Sequence, residues 1–230
     1  MAVAIPLAGC TTTQHEAQRV QLDSARQRAA LEHTRVTVAN PTVTATSVAE
    51  VSGHGRTAFV VTVHNRRSRA VTDLPISVGY EGAGGTSVYL NSAANLNYFQ
   101  AHLPAIAAGR SLTWIYTADR VLPRGVRPFA RVGVKQSAPA RLTETDVRIG
   151  LSYRHAAGQA SLTVHLDNPS SVPQYQLQLY AYALVGGRPI AAGNTTVADL
   201  GAGSKQRVKL ALIGTAAEDL RVEAVPTILQ

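Results

Sequence analysis

From Arg35 onward apolar and polar positions alternate with a period of two, and no helical period is sustained. The first group of runs reads RVTVANPTVTATSV (35–48), TAFVVTVHN (57–65), LPISVGY (74–80), TSVYLN (86–91), SLTWIYT (111–117) and FARVGV (129–134). The second reads VRIGLSYR (147–154), ASLTVHLDN (160–168), YQLQLYAYAL (175–184), PIAAGNTTV (189–197), KQRVKLALI (205–213) and LRVEAVPTIL (220–229). Successive side chains of a strand point to opposite faces, so each run offers an apolar face for burial. Turn-formers separate the runs: Asn65-Arg66-Arg67-Ser68, Asn168-Pro169-Ser170-Ser171 and Gly186-Gly187. Short strands at this spacing predict an all-β chain of two β-sandwich domains in tandem, at 35–142 and 143–230. Trp114 alternates with Leu112 and Tyr116 and is expected in the core.

Upstream the pattern differs. Between Thr11 and Thr34 the only large apolar residues are Val20, Leu22 and Leu31, which make no continuous stripe. Gln, Arg, Glu and Ala favour helix there, but the segment can bury little. Residues 11–34 are therefore expected to form a polar spacer with helical tendency, holding the folded part off whatever precedes it.

Residues 7–10 read Leu7-Ala8-Gly9-Cys10 after the apolar Ala2, Val3, Ala4 and Ile5, and Cys10 is the chain's one cysteine. This stretch resembles the lipobox of bacterial lipoproteins. The resemblance implies a signal over 1–10 with cleavage before Cys10, lipidation of its sulfur and an acylated new N-terminus. The chemistry asks for small residues where the peptidase closes and a thiol as lipid acceptor. Two or more acyl chains anchor stably, since each buried CH₂ contributes about 0.8 kcal/mol. A signal peptide opens with Lys or Arg, and none precedes Cys10. The expectation is a true start upstream of Met1. The implied location is the cell envelope, on the extracytoplasmic side of a bacterial membrane.

The two halves repeat one another. Val61-Thr62-Val63-His64-Asn65 matches Leu162-Thr163-Val164-His165 with Asn168 shortly after. Ala108-Gly109-Arg110-Ser111 matches Ala202-Gly203-Ser204-Lys205. The order of strand, loop, strand and Gly-turn is similar to the immunoglobulin-like modules of bacterial surface lipoproteins, the FxLYD type in particular. Leu179-Tyr180-Ala181-Tyr182, Gly186-Gly187-Arg188-Pro189-Ile190 and Leu200-Gly201-Ala202-Gly203 carry the likeness in the second half; the first matches loosely, with an insertion over 81–107. In that family the modules are spacers and binding units, so the resemblance implies a non-enzymatic role. These are core and turn patterns; they specify a fold and no chemistry.

Charge sharpens this picture. The 230 residues carry a formal charge of +8, and three of the 22 basic residues are Lys (Lys135, Lys205 and Lys209). GC-rich coding would account for a preponderance of Arg, but not for its placement. The acidic residues of 35–142 are Glu50, Asp73, Glu81 and Asp119 alone, so the whole excess lies in that segment. Arg66, Arg67 and Arg69 crowd one loop, and Arg120, Arg124, Arg127 and Arg131 crowd a second stretch with Asp119 beside them. Guanidinium groups in loops attract phosphate and carboxylate. On a tethered protein the nearest anions are lipid headgroups and cell-wall polymers, so these seven residues are candidates for contact with an anionic envelope surface. Solvated loop charges that add solubility are the plainer reading. Nucleic acid is not expected, because no aromatic stacking motif accompanies the arginines.

A second candidate is the strand 174–184. With Tyr175, Leu177 and Leu179 inward, Gln176, Gln178, Tyr180 and Tyr182 share the other face, a strip suited to a protein or sugar partner unless the other domain covers it. Catalytic patterns are missing: no Gly-x-Ser-x-Gly, no His-Glu-x-x-His and no phosphate-cradling loop. Glu81-Gly82-Ala83-Gly84-Gly85 reads as a hairpin loop. One Cys and a single Met at position 1 exclude multi-Cys and Met-rich metal sites. His64 and His165 occupy similar places in separate halves and make poor co-ligands, and His54 with His64 lacks a third ligand. No cofactor or metal is expected. The alternative class is a metal carrier or enzyme with dispersed site residues.

Overall fold

The computed structural model describes Val20 and residues 35–93, 96–134, 149–154, 161–215 and 219–226. The lipobox with Cys10, the spacer apart from Val20 and the division at 142/143 lie outside them. The chain is all-β. The front half contributes β1 (Val43–Gly53), β2 (Arg56–Asn65), β3 (Leu74–Glu81), β4 (Ser87–Tyr89), β5 (His102–Leu103), β6 (Ser111–Ala118) and β7 (Arg127–Val132). The tail half contributes β8 (Gly150–Arg154), β9 (Ser161–Asp167), β10 (Gln174–Val185), β11 (Arg188–Leu200), β12 (Lys205–Ala211), β13 (Ile213–Gly214) and β14 (Leu220–Val225).

Each half pairs a three-stranded sheet with a four-stranded one, all antiparallel. In front these are β1-β2-β6 and β4-β3-β5, with β7 also on β3; behind, they are β12-β9-β8 and β13-β11-β10-β14. Alternation explains the front core. Phe59, Val61 and Val63 on β2, with Trp114 and Tyr116 opposite, meet Ile76, Val78 and Val132. The Trp114 indole N–H donates to the Phe99 carbonyl at 3.0 Å, so its polar atom is satisfied inside the core. In the tail, Leu162, Val164 and Leu166 of β9 meet Leu177, Leu179, Ala181 and Ala183 of β10.

Strands β2 and β10 are buried on both faces, because the halves pack on each other. The front core continues through Tyr180, Tyr182, Ala192 and Ile213 of the tail. The result is four stacked sheets: β4-β3-β5 with β7, then β1-β2-β6, then β13-β11-β10-β14, then β12-β9-β8. Close backbone approach between halves requires glycine at one point. A Cβ on Gly53 would lie 2.9 Å from the Gly214 nitrogen.

The two halves use one clamp. Asn65 is fully buried; its side-chain amide donates to the carbonyls of Arg69, Ile106 and Ala107, and its Oδ1 accepts from the Arg67 N–H. Asn168 is fully buried; it donates to Val172, Leu200 and Gly201 and accepts from the Ser170 N–H. The main-chain bonds match as well: Asn65 N–H to Arg110 O and Gly109 N–H to Arg67 O in front, Asn168 N–H to Ser204 O and Gly203 N–H to Ser170 O behind. Gly109 and Gly203 share a φ of 64°, which favours glycine at both. These bonds align His64 with Asp167 rather than with His165, two residues from the sequence pairing.

Candidate functional site

The clamp fixes a cationic end on the front half. Arg66 follows β2 directly, and its N–H donates to Thr42 O at 2.9 Å. The Arg67 Nε donates to the Thr42 hydroxyl at 2.7 Å, holding this side chain half-buried against the loop. Arg66, Arg69 and Arg110 are exposed, and no carboxylate pairs with them among the described residues. Arg110 was not singled out from sequence, although its place in the Ala-Gly turn was visible; the clamp brings that turn against the 65–70 loop. Guanidinium groups on adjoining loops without a counter-charge favour an incoming anion.

The other arginines lie elsewhere. Thr57 pairs with Ala118 and His64 with Ser111, so Arg120 sits near the start of β2 and Arg66 beyond its end. Ten residues of strand separate those ends by about 30 Å. Arg127 is at the same far end, opposite Glu81. The sequence set is therefore two groups. Arg131 leaves both: it donates to the Tyr89 hydroxyl at 2.8 Å, lies 4.6 Å above the Phe129 ring and sits 3.7 Å from a Glu81 carboxylate oxygen. These partners occupy its fork, so it is a poor anion site.

The amide and tyrosine strip is not an open surface. Gln178 is 2 % exposed, Tyr180 0 % and Tyr182 8 %. The front half covers them, because Thr113 and Ile115 of β6 face this side of β10. Gln176 is half-buried at a positive φ of 53°, and the ladder passes over it between Tyr175 and Leu177 with no shift of register. The strip serves the internal interface. There the Thr113 hydroxyl donates to the Tyr182 oxygen at 3.4 Å, and the Tyr182 hydroxyl donates to Glu223 at 3.0 Å. Burial raises the pKa of Glu223 above its ordinary value and pushes both tyrosines up, Tyr180 most of all.

Ser152, His165 and Asp167 share one open face, with Ser152 directly across from His165. No hydrogen bond joins the three, and Asp167 instead holds Lys205 at 3.0 Å. His64 Nδ1 bonds the Ser111 hydroxyl at 3.0 Å. Among the described residues no three His, Cys, Asp or Glu side chains gather as a metal site. No helix among them is long and apolar enough to cross a membrane. No protein-family model matches the chain, and no curated protein matches it.

Proposed function

We propose that this chain is a lipid-anchored protein of the bacterial envelope, tethered through Cys10, that binds rather than catalyses. Its front half docks on an anionic envelope surface through the Asn65 end. The observation that carries this reading is a contrast between equivalent loops. The same clamp holds Arg66, Arg67, Arg69 and Arg110 in front but Pro169, Ser170, Val172 and Ser204 behind. The backbone geometry therefore does not require arginine. The likeness to FxLYD-type modules, which act as spacers and binding units, supports the same role.

The magnitudes suit a tether. Each basic group near a charged surface contributes about 1 kcal/mol. Four give roughly 4 kcal/mol, a dissociation constant near the millimolar range. Such docking is weak for a free protein and effective for one held at the surface. The test uses full-length chain carrying Cys10→Ser, sedimented with vesicles at low salt. Binding to anionic vesicles and not to neutral ones is expected, weakening as salt rises. Arg66→Ser, Arg69→Ser and Arg110→Ser together are expected to lower it by about a hundredfold. Equal binding to both vesicle types, or an unchanged triple variant, contradicts the reading.

A further inference from the structure

The outward face of β12-β9-β8 is the open end of the four-sheet stack. Register places three rows across it: Gly150–Asp167–Lys205, Ser152–His165–Arg207 and Arg154–Thr163–Lys209. Every outward position of β12 from Lys205 to Lys209 is cationic, and Arg154 adds a fourth cation from β8. Asp167 is the one carboxylate in these rows and is paired with Lys205. Arg154, Arg207 and Lys209 have no ionic partner among the described residues. Gly150 leaves room beside Asp167, and a shallow open depression of about 500 Å³ runs from there past Ser152, His165 and Arg207.

The clamp shows what this face is equivalent to. Counting from Asn65 and Asn168, Val60 corresponds to Thr163 and Thr62 to His165. Counting from Arg110 and Ser204, Thr113 corresponds to Arg207 and Ile115 to Lys209. In the front half these positions are apolar or carry a hydroxyl, and the tail half covers them. In the tail half the same positions carry cations and hydroxyls, and nothing among the described residues covers them. A second copy docked in the same way would bring these cations to the opposite outer sheet, where Arg35 and Arg131 flank Tyr89. Like charges oppose that arrangement.

We propose that this face binds an acidic polysaccharide lying across the strands. Arg154, Arg207 and Lys209 pair with its carboxylates, while Ser152, Thr163 and His165 bond its hydroxyls. Cations along β12 recur about every 7 Å and strands lie about 4.8 Å apart, a grid on which charged and neutral sugar groups both find partners. Nucleic acid fits less well, because the rows hold no Phe, Tyr or Trp; Tyr153 alternates to the other face of β8, where its hydroxyl donates to the Leu220 carbonyl. A bilayer fits less well, because the rows offer no large apolar side chain to insert. Lysines on edge strands also block sheet-to-sheet pairing. That role asks for charge of either sign, whereas four of the five charges here are positive.

The site is separate from the Asn65 end and stands or falls without it. The test titrates full-length chain carrying Cys10→Ser with polygalacturonate at low salt, with dextran as the neutral polymer. Binding to polygalacturonate alone is expected. Arg207→Ser with Lys209→Ser should weaken it at least tenfold while the chain stays monomeric with an unchanged near-ultraviolet spectrum. Arg154→Ser should weaken it severalfold, and the Arg66, Arg69 and Arg110 triple variant should keep it. Four results overturn the proposal: no binding, equal affinity for single-stranded DNA of matched charge, equal loss in the triple variant, or a double variant that aggregates yet still binds.

Discussion

Asn65 and Asn168 each use a single side-chain amide to close a loop onto the turn that precedes the next strand. Each holds three carbonyl oxygens that would otherwise be left short of a donor beside a fully buried side chain. A buried hydrogen bond contributes about 1 kcal/mol net, and an orphaned partner costs about 1–3 kcal/mol. Asn65→Ala and Asn168→Ala are each expected to cost about 2–4 kcal/mol, read from urea midpoints. Asn65→Asp should cost as much, since a carboxylate cannot donate; a loss below about 1 kcal/mol would contradict the clamp. Tyr180 makes the opposite case. Its hydroxyl is buried with no hydrogen-bond partner among the described residues. Tyr180→Phe keeps the ring and removes an unsatisfied group, so the variant is expected to be more stable by about 1 kcal/mol. A destabilised variant would mean the hydroxyl has a partner. The sequence made both asparagines visible as turn-openers. It paired His64 with His165, whereas the clamp aligns His64 with Asp167, because Leu166 and Asp167 separate His165 from Asn168 while His64 abuts Asn65.

At the scale of elements, period two was enough to place most strands, since alternation is a local property. Strand β1 is one exception: the run from Arg35 makes a bridge from Ala39 to Gly133 before Pro41, joins β2 only from Val43, and continues through Gly53. Strand β10 carried a less legible message. Its alternation correctly separates Leu177 and Leu179 from Gln178, Tyr180 and Tyr182, but one strand's pattern cannot say whether its second face meets water or another sheet. The observed answer brings a carboxylate to the sheet interface. Glu223 has its pKa raised by burial, against smaller opposing contributions from the Tyr182 hydroxyl and Arg221. The folded state then prefers the protonated acid more than the unfolded state does. Stability therefore falls as pH rises from 4.5, the ordinary value, through the raised one, and is flat beyond it. Glu223→Gln should remove that fall. Urea unfolding across this range should show the gap between variant and wild type widening with pH; parallel curves would contradict the burial argument.

For the whole molecule, the arrangement of charge was the least legible feature. The segment totals placed the excess in the front half, and the fold divides that excess between opposite ends of β2. The tail half, net neutral by sequence, gathers Arg154, Lys205, Arg207 and Lys209 on one outer face while Glu223 turns into the interface. Summation over the half cannot see this, because acidic residues elsewhere cancel the three cations of β12 and the one of β8. Stacking leaves the molecule with three cationic regions, one at each end of β2 and one on the outer face of the tail half, and with an internal contact between its halves. The roles proposed for the Asn65 end and for the outer face of the tail half depend on a location at the envelope, which the tether at Cys10 would supply. The intact mass of protein extracted from the membranes of its native host tests that claim most directly. A chain that begins at Cys10 and carries the added mass of a thioether-linked diacylglycerol is the predicted result. A soluble chain with its cysteine unmodified and residues 1–9 still attached would contradict it.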